Sequence, residues 1–115
     1  MPLFNLFTSA ELPADRAALL RQLSALLAKA LDKPEEYVMV IANPRPDMTF
    51  GGSGDPACYA ELKNIGRLSP AEVEALSGQL CQALSAGLGV AADRIYIEFT
   101  NADGALWGWD GTTFG

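Results

Sequence analysis

The chain repeats one pattern of strand, helix and strand in its two halves. Residues 30–40 align with residues 87–97, and the equivalent Leu31 and Leu88 lie 57 positions apart in a chain of 115 residues. Because strand–helix–strand connections are right-handed, each half is expected to form a parallel pair of strands with both helices on one face. The repeat therefore predicts an α+β (α/β) fold in which two β-α-β units share one four-stranded mixed sheet.

The length and the repeat predict a single domain over residues 1–115, with units of about 1–57 and 58–115. Half of the residues are apolar, which excludes a disordered chain, and the net charge of −6 argues against a nucleic-acid partner. We expect neither a membrane span nor a secretory signal, because no apolar run is long enough and the first residues lack a basic region. Cys58 and Cys81 make neither a disulfide framework nor a metal set, so reduced thiols in a cytoplasmic protein are expected.

Hydrophobic periodicity places the elements of the two units. Apolar runs and alternating patterns predict strands, and leucines at three- and four-residue steps predict helices. Ser69, Pro70 and Glu72 form a helix start with Ser69 as the N-cap. The predicted strands are Leu3–Thr8, Tyr37–Asn43, Tyr59–Ile65 and Ile95–Thr100. The predicted helices are Pro13–Leu31 and a second helix from Pro70 to the glycines at 87 and 89. Residues 44–56 are predicted to form a loop, and short strands are expected in the tail.

Placing both helices on one face leaves the other face of the sheet bare. The strands are apolar enough that this face must be covered, and no further segment of the chain remains to cover it. The sequence therefore predicts self-association, with sheets packed against each other around a symmetry axis.

Pro2 is the residue with the most distinctive chemistry. If Met1 is removed, Pro2 becomes a free secondary amine, and an N-terminal amine has a pKa of about 7.7–8.0, within reach of neutral pH. The chain has no histidine to act as a proton carrier at that pH. The alternative is that Pro2 only opens an edge strand, where its missing N–H does no harm.

Two other candidate residues also have simple structural interpretations. Lys33 follows the first helix, where a cation complements the helix dipole, and Tyr96 lies in a strand, where an aromatic residue packs in the core. The glycine-rich segment 50–54 lacks the spacing and the following lysine of a phosphate-binding loop, so it is expected to be a plain loop.

Several short motifs occur in a defined order along the whole chain. They are Met1-Pro2-Leu3-Phe4, Lys33-Pro34, Phe50-Gly51-Gly52-Ser53, Ile65-Gly66, Asp93-Arg94-Ile95-Tyr96-Ile97, and Gly108-Trp109 followed by Thr113-Phe114. Together they resemble the macrophage migration inhibitory factor family, which includes D-dopachrome tautomerase within the tautomerase superfamily. No single motif is enough to support the resemblance to this family, but the order and spacing of all the motifs are.

The resemblance implies a homotrimer with three active sites at subunit interfaces. The family interconverts keto and enol forms of arylpyruvates such as phenylpyruvate, acts on D-dopachrome-type compounds, and needs no cofactor or metal. By resemblance, Pro2 is the catalytic base and Lys33 holds the substrate carboxylate. The backbone of Ile65 meets the substrate, and Tyr96 comes from the neighbouring subunit. The resemblance also places Tyr37, Trp109 and Phe114 in or around the pocket.

The chain departs from the best-known animal members of the family at several pocket positions. Glu98 stands in place of asparagine, Trp107 in place of a smaller aliphatic residue, and Lys63-Asn64 in place of His-Ser. We predict weak to moderate arylpyruvate tautomerase activity, with Asn64, Glu98 and Trp107 among the substrate-binding residues. The segment 57–60 has one cysteine, so a dithiol activity is not expected.

The alternative function is that of a cytokine-like signalling or binding protein with a vestigial pocket. It would have a receptor partner and could leave the cell without a leader sequence. Retention of both Pro2 and Lys33 favours the enzyme.

Overall fold

The computed structural model describes residues 2–43 and 45–115, and Met1 and Pro44 lie outside the described residues. The structure therefore does not bear on the expected removal of Met1, because Met1 is not among the described residues. The strands are β1 (Leu3–Thr8), β2 (Met39–Ala42), β3 (Cys58–Ile65), β4 (Ile95–Ala102), β5 (Gly108–Trp109) and β6 (Thr112–Thr113), the helices are α1 (Arg16–Leu31) and α2 (Pro70–Leu88), and short 3-10 turns occur at Glu35–Tyr37, Ala92–Arg94 and Gly104–Leu106.

Four strands form one mixed sheet in the order β2-β1-β3-β4. Strand β1 is parallel to β2, and β3 is parallel to β4, as the half-chain repeat predicts. The two units join through the antiparallel pair β1 and β3, in which Leu6 is opposite Ala60. The predicted fold class is confirmed. The expected terminal strands are β5 and β6, which form a separate antiparallel ribbon.

Both helices pack on the same face of the sheet and bury its side chains. Alternate residues of β1 and β3 point to this face, because successive side chains of a strand lie on opposite sides. The core combines them with leucines from each helix. Its largest buried members are Phe4, Leu6, Leu23, Leu27, Leu62, Leu80, Leu84 and Val90.

The helix ends follow local capping chemistry. Helix α1 begins at Arg16 rather than at the predicted Pro13, because the Asp15 carboxylate accepts a hydrogen bond from the Ala18 N–H at 3.0 Å. Helix α2 begins as predicted, with reciprocal bonds between Ser69 and Glu72. The bond from the Ser69 backbone N–H lowers the pKa of the Glu72 carboxyl.

Strand β2 is shorter than the sequence predicts. The predicted strand begins at Tyr37, but the chain forms a 3-10 turn at Glu35–Tyr37, in which the Val38 N–H donates to the Glu35 carbonyl at 3.0 Å. The helix has already ended before this turn, because Asp32 adopts a left-handed conformation and Pro34 disfavours a helical residue before it. Tyr37 therefore projects from a turn at the entrance to β2 and not from the strand.

The face of the sheet away from the helices is bare in the single chain. Large apolar side chains are exposed there, including Met39 at 59%, Ile41 at 38% and Tyr96 at 64%. The structure thus leaves uncovered the surface for which self-association is expected. Neither described helix is both long and apolar enough to cross a membrane.

Candidate active site

Pro2 lies at the entrance to β1, with a fully buried side chain. Its carbonyl accepts a hydrogen bond from the Met39 N–H at 3.0 Å, which continues the pairing of β1 with β2. The pairing holds the main chain at Pro2 through its carbonyl alone, because proline has no N–H to donate. The N-terminal end of β1 is therefore fixed in the sheet.

A cleft of about 390 Å³ opens beside Pro2. Its walls come from three parts of the chain that the fold brings together: the start of β1, the turn that leads into β2, and the tail. The lining residues are Pro2, Leu3, Glu36, Tyr37, Val38, Met39, Trp107, Gly108, Trp109 and Phe114. The cleft therefore combines most of the predicted aromatic residues with Pro2.

Three rings form an aromatic cluster on one side of this cleft. Tyr37 meets Trp109 edge-on, with ring centroids 5.5 Å apart, and meets Phe114 edge-on at 6.0 Å. Trp109 and Phe114 stack at 5.5 Å. Edge-to-face and offset-stacked pairs are favourable arrangements, so the rings hold one another in place. The cluster offers a preformed apolar surface for a flat ring.

The tail is anchored so that these rings reach the cleft. The Phe114 N–H contacts two carbonyls, those of Gly104 and Trp107, each at 3.2 Å. The ribbon of β5 and β6 turns at Asp110 and Gly111, both of which have positive φ. The tail therefore folds back on itself and directs Trp109 and Phe114 toward Tyr37.

Lys33 lies at the end of α1 and bridges to the sheet. Its ammonium donates a hydrogen bond to the main-chain carbonyl of Ile65 at 3.1 Å, and its own N–H donates to the Ala28 carbonyl at 3.0 Å. Lys33 and Ile65 are thus in direct contact with each other. Neither residue lines the cleft beside Pro2.

Ile65 lines a second depression of the surface, separate from the cleft beside Pro2. The second, of about 470 Å³, is lined by Ile65–Arg67 and residues 101–104. The Ile65 side chain lies close to Gly104, where a Cβ would come within 3.5 Å of it, and that Cβ would also lie 3.1 Å from the Phe114 carbonyl oxygen. Gly104 therefore permits close contact between the end of β3 and the tail.

The structure places Asn64 in the interior. Its side chain is 3% exposed and lies on the helix-covered face of β3 with Ala60 and Leu62, because it is an even number of residues from them. Its Oδ1 atom has no hydrogen-bond partner among the described residues. This position gives no support to the predicted contact between the Asn64 side chain and a substrate.

Tyr96 and Glu98 lie away from Pro2 in the same chain. Both are on β4, at the opposite edge of the sheet from β2, and both are exposed on the bare face. Tyr96 packs against Phe50 with ring centroids 4.7 Å apart. The two carboxylate oxygens of Glu98 accept from the Thr100 hydroxyl at 2.7 and 2.8 Å. One chain alone does not bring these residues to the cleft.

Sequence reasoning missed the role of Arg94, which holds the loop before β3. Its guanidinium donates to the carbonyls of Phe50, Ser53, Asp55 and Pro56 at 2.9 to 3.2 Å. It also lies over the Phe50 ring, 5.2 Å from the centroid. The adjoining isolated bridge between Phe50 and Ser53 makes this segment more ordered than a plain loop. The only sign of this role in the sequence is that Arg94 belongs to the motif Asp93-Arg94-Ile95-Tyr96-Ile97.

The two cysteines are not joined in a disulfide. Both are free, and burial raises the pKa of the Cys58 thiol, which donates to the Thr8 hydroxyl oxygen at 3.3 Å. Within the described ranges, no cluster of three or more His, Cys, Asp or Glu side chains could hold a metal ion.

The whole chain matches the family model described as macrophage migration inhibitory factor (MIF), over residues 1–115. A MIF homologue from Trichinella spiralis is 38% identical over 99% of this chain and 100% of its own length, and MIF from Meriones unguiculatus is 37% identical over 99% of each. A solved MIF homologue from Prochlorococcus marinus is 43% identical, with a TM-score of 0.94 over 98% of this chain and 99% of its own. MIF from Toxoplasma gondii is 33% identical, with a TM-score of 0.91 over 97% and 99%.

Proposed function

Since the chain belongs to the macrophage migration inhibitory factor family, we propose that it is a cofactor-free keto–enol tautomerase of arylpyruvates and dopachrome-like compounds. The observation that carries the proposal is the position of Pro2. It is fixed at the entrance to β1, beside a cleft with an aromatic wall. A base next to a surface that fits a flat ring is what proton exchange on an arylpyruvate requires.

In the proposed mechanism, removal of Met1 exposes the secondary amine of Pro2. The neutral amine takes a proton from the carbon next to the substrate carbonyl, so a C–H bond breaks and an N–H bond forms. The resulting ammonium gives this proton to the oxygen of the enolate, which forms the enol and restores the neutral amine. Burial disfavours the ammonium form and lowers the pKa of such an amine, which keeps it available as a base near neutral pH.

We assign Lys33 to the substrate carboxylate. An ammonium has three donors, so Lys33 can keep its bond to the Ile65 carbonyl and still donate to a carboxylate. The same positive charge would stabilise the developing enolate. The aryl ring would lie against Tyr37, Trp109 and Phe114, and Trp107 would set the room left for it.

Tyr96 and Glu98 enter the proposed site from a neighbouring subunit. Both lie on the bare face of the sheet, where exposed apolar side chains need cover. We propose a homotrimer with the sheets packed around a three-fold axis, which would carry β4 of one chain toward Pro2 of the next. Asn64 is left out of the proposed contacts because its side chain is interior.

The two free cysteines fit a reducing compartment, so we place the protein in the cytoplasm. The receptor-binding alternative has no observation of its own in residues 2–43 and 45–115, whereas the enzyme has the buried Pro2 and the aromatic cluster.

The test is the rate of phenylpyruvate tautomerisation by protein whose mass shows that Met1 is absent. A form with one extra residue before Pro2 keeps every side chain but converts the amine into an amide, and its kcat/KM should fall by a factor of about 100 or more, since positioned bases contribute about 10²–10⁴. Pro2→Gly keeps a primary amine at the N-terminus, so it should lose less activity than the extended form. Full activity of the extended form would exclude the amine of Pro2 as the base.

A further inference from the structure

Three consecutive residues of the Glu35–Tyr37 turn face different surroundings. Glu35 accepts a hydrogen bond from the Ser24 hydroxyl on α1 at 2.9 Å. Tyr37 packs in the aromatic cluster. Glu36, between them, lines the cleft that contains Pro2. Two neighbouring carboxylates of one turn are therefore placed differently, one against a helix and one at the cleft.

Glu36 is the only charged side chain among the described residues that line this cleft. The other lining residues are apolar or aromatic, apart from a glycine. No hydrogen bond or ion pair joins Glu36 to another residue in the ranges 2–43 and 45–115. Its negative charge is thus unneutralised within the described part of the chain, and the residue is exposed at the border of an otherwise apolar cleft.

We infer that Glu36 selects the charge of the ring substituent that the cleft accepts. An aryl ring on the aromatic cluster would share the cleft with Glu36, because Glu36 lines the same cleft as Tyr37, Trp109 and Phe114. A cationic or hydrogen-bond-donating ring substituent is attracted, and an anionic one is repelled. The favoured substrates are aryl α-keto acids with such a donor on the ring. The inference rests on the proposed function only in taking this cleft as the place of the ring.

The two tryptophans of the chain supply a direct measure of binding. Trp107 and Trp109 both line the cleft, and the sequence contains no other tryptophan. Intrinsic tryptophan fluorescence therefore reports on ligands there without any turnover. Suitable probes are 4-(aminomethyl)phenylacetate and 4-carboxyphenylacetate, which share a ring and a carboxylate arm and carry opposite charges at the other end.

The decisive comparison is between Glu36→Gln and Glu35→Gln. Both remove one negative charge from the same turn, but only Glu36 faces the cleft, and glutamine at position 35 can still accept from Ser24. We expect the wild-type protein to bind the cationic probe more tightly than the anionic one. Glu36→Gln should reduce that affinity ratio by about five- to twentyfold at low salt, while Glu35→Gln leaves it within about twofold.

An equal change of the ratio in both variants would show a general charge effect and overturn the inference. An unchanged ratio in Glu36→Gln, or no fluorescence response to either probe, would also overturn it. In 1 M salt the wild-type preference should shrink, because the screening length falls to about 3 Å. The proposed function fails separately, through full activity of the form with one extra residue before Pro2, so the two failures can be told apart.

Discussion

The Lys33 ammonium donates to the main-chain carbonyl of Ile65 at 3.1 Å, which ties the end of α1 to the end of β3. One side chain thus joins two elements that are 32 residues apart in the sequence. It holds a cation at the end of the sheet, near the junction of β3 with the tail. A cation fixed in this way can bind a carboxylate with little loss of side-chain freedom.

Replacing Lys33 by alanine should weaken substrate binding more than it slows chemistry. The variant loses the free energy of a hydrogen bond between two charged groups, so KM for phenylpyruvate should rise about ten- to a hundredfold. Steady-state kinetics check this. Lys29→Ala, in the last turn of α1, is the control and should leave KM unchanged. An unaltered KM in Lys33→Ala would contradict the assignment to the carboxylate.

Replacing Trp107 by valine should enlarge the cleft. Its backbone bonds to Gly104 and Phe114 persist in the variant, so the tail should keep its path. We expect the kcat/KM ratio of a bulky dopachrome-type compound to phenylpyruvate to rise about tenfold. Trp109→Phe keeps a ring in the cluster and should not shift the ratio. A falling ratio in Trp107→Val would show that the indole contacts the substrate rather than restricting it.

Burial raises the pKa of Cys58, and this makes stability depend on alkaline pH. The folded state keeps the thiol proton at pH values where the unfolded chain has lost it. The stability from Cys58 is therefore complete below the unfolded pKa of about 8.5 and is lost as pH rises toward the folded value, by at most about 1.4 kcal/mol per pH unit.

Urea unfolding at pH 7.5 and 9.5, at one protomer concentration, measures this effect. The loss of stability between the two pH values should be smaller in Cys58→Ala than in the wild type. Cys81→Ala serves as the control for removal of a thiol. Equal pH dependence in all three proteins would show that Cys58 is not responsible.

Arg94→Ala should destabilise the loop that precedes β3. Four carbonyls lose their donor at once, and we expect a loss of about 2 kcal/mol, measured by chemical unfolding. Arg67→Ala removes an exposed arginine elsewhere on the surface and should cost less than about 0.5 kcal/mol. A loss in Arg94→Ala no larger than that in Arg67→Ala would refute a structural role for this guanidinium.

The sequence predicts the sheet well because its signals are local or periodic. The alternation in β1 and β3 and the leucine spacing of the helices depend only on near neighbours and on burial. The repeat then fixes the two parallel pairs. Strand β2 is misjudged at its start because Tyr37 has strong strand propensity, while the turn after Pro34 depends on how α1 meets the sheet.

The site is less predictable because it joins distant segments. The sequence at 64 and 65 does not reveal that Asn64 points inward while the Ile65 carbonyl accepts from Lys33, since a shift of one residue exchanges the faces of a strand. The sequence also does not reveal that Glu36 lines a cleft, because that cleft exists only when the tail folds over the turn. Such relations arise from tertiary contacts, which a pattern along the chain does not contain.

The contacts of Arg94 have a consequence for how the loop before β3 tolerates change. Apart from the ring of Phe50, the guanidinium meets only main-chain oxygens, which every residue type supplies. The side chain at 55 can therefore vary without loss of the hydrogen bonds from Arg94 that shape the loop. This segment can change its surface chemistry over successive substitutions while the path of its backbone, and the support it gives to Tyr96, stays the same.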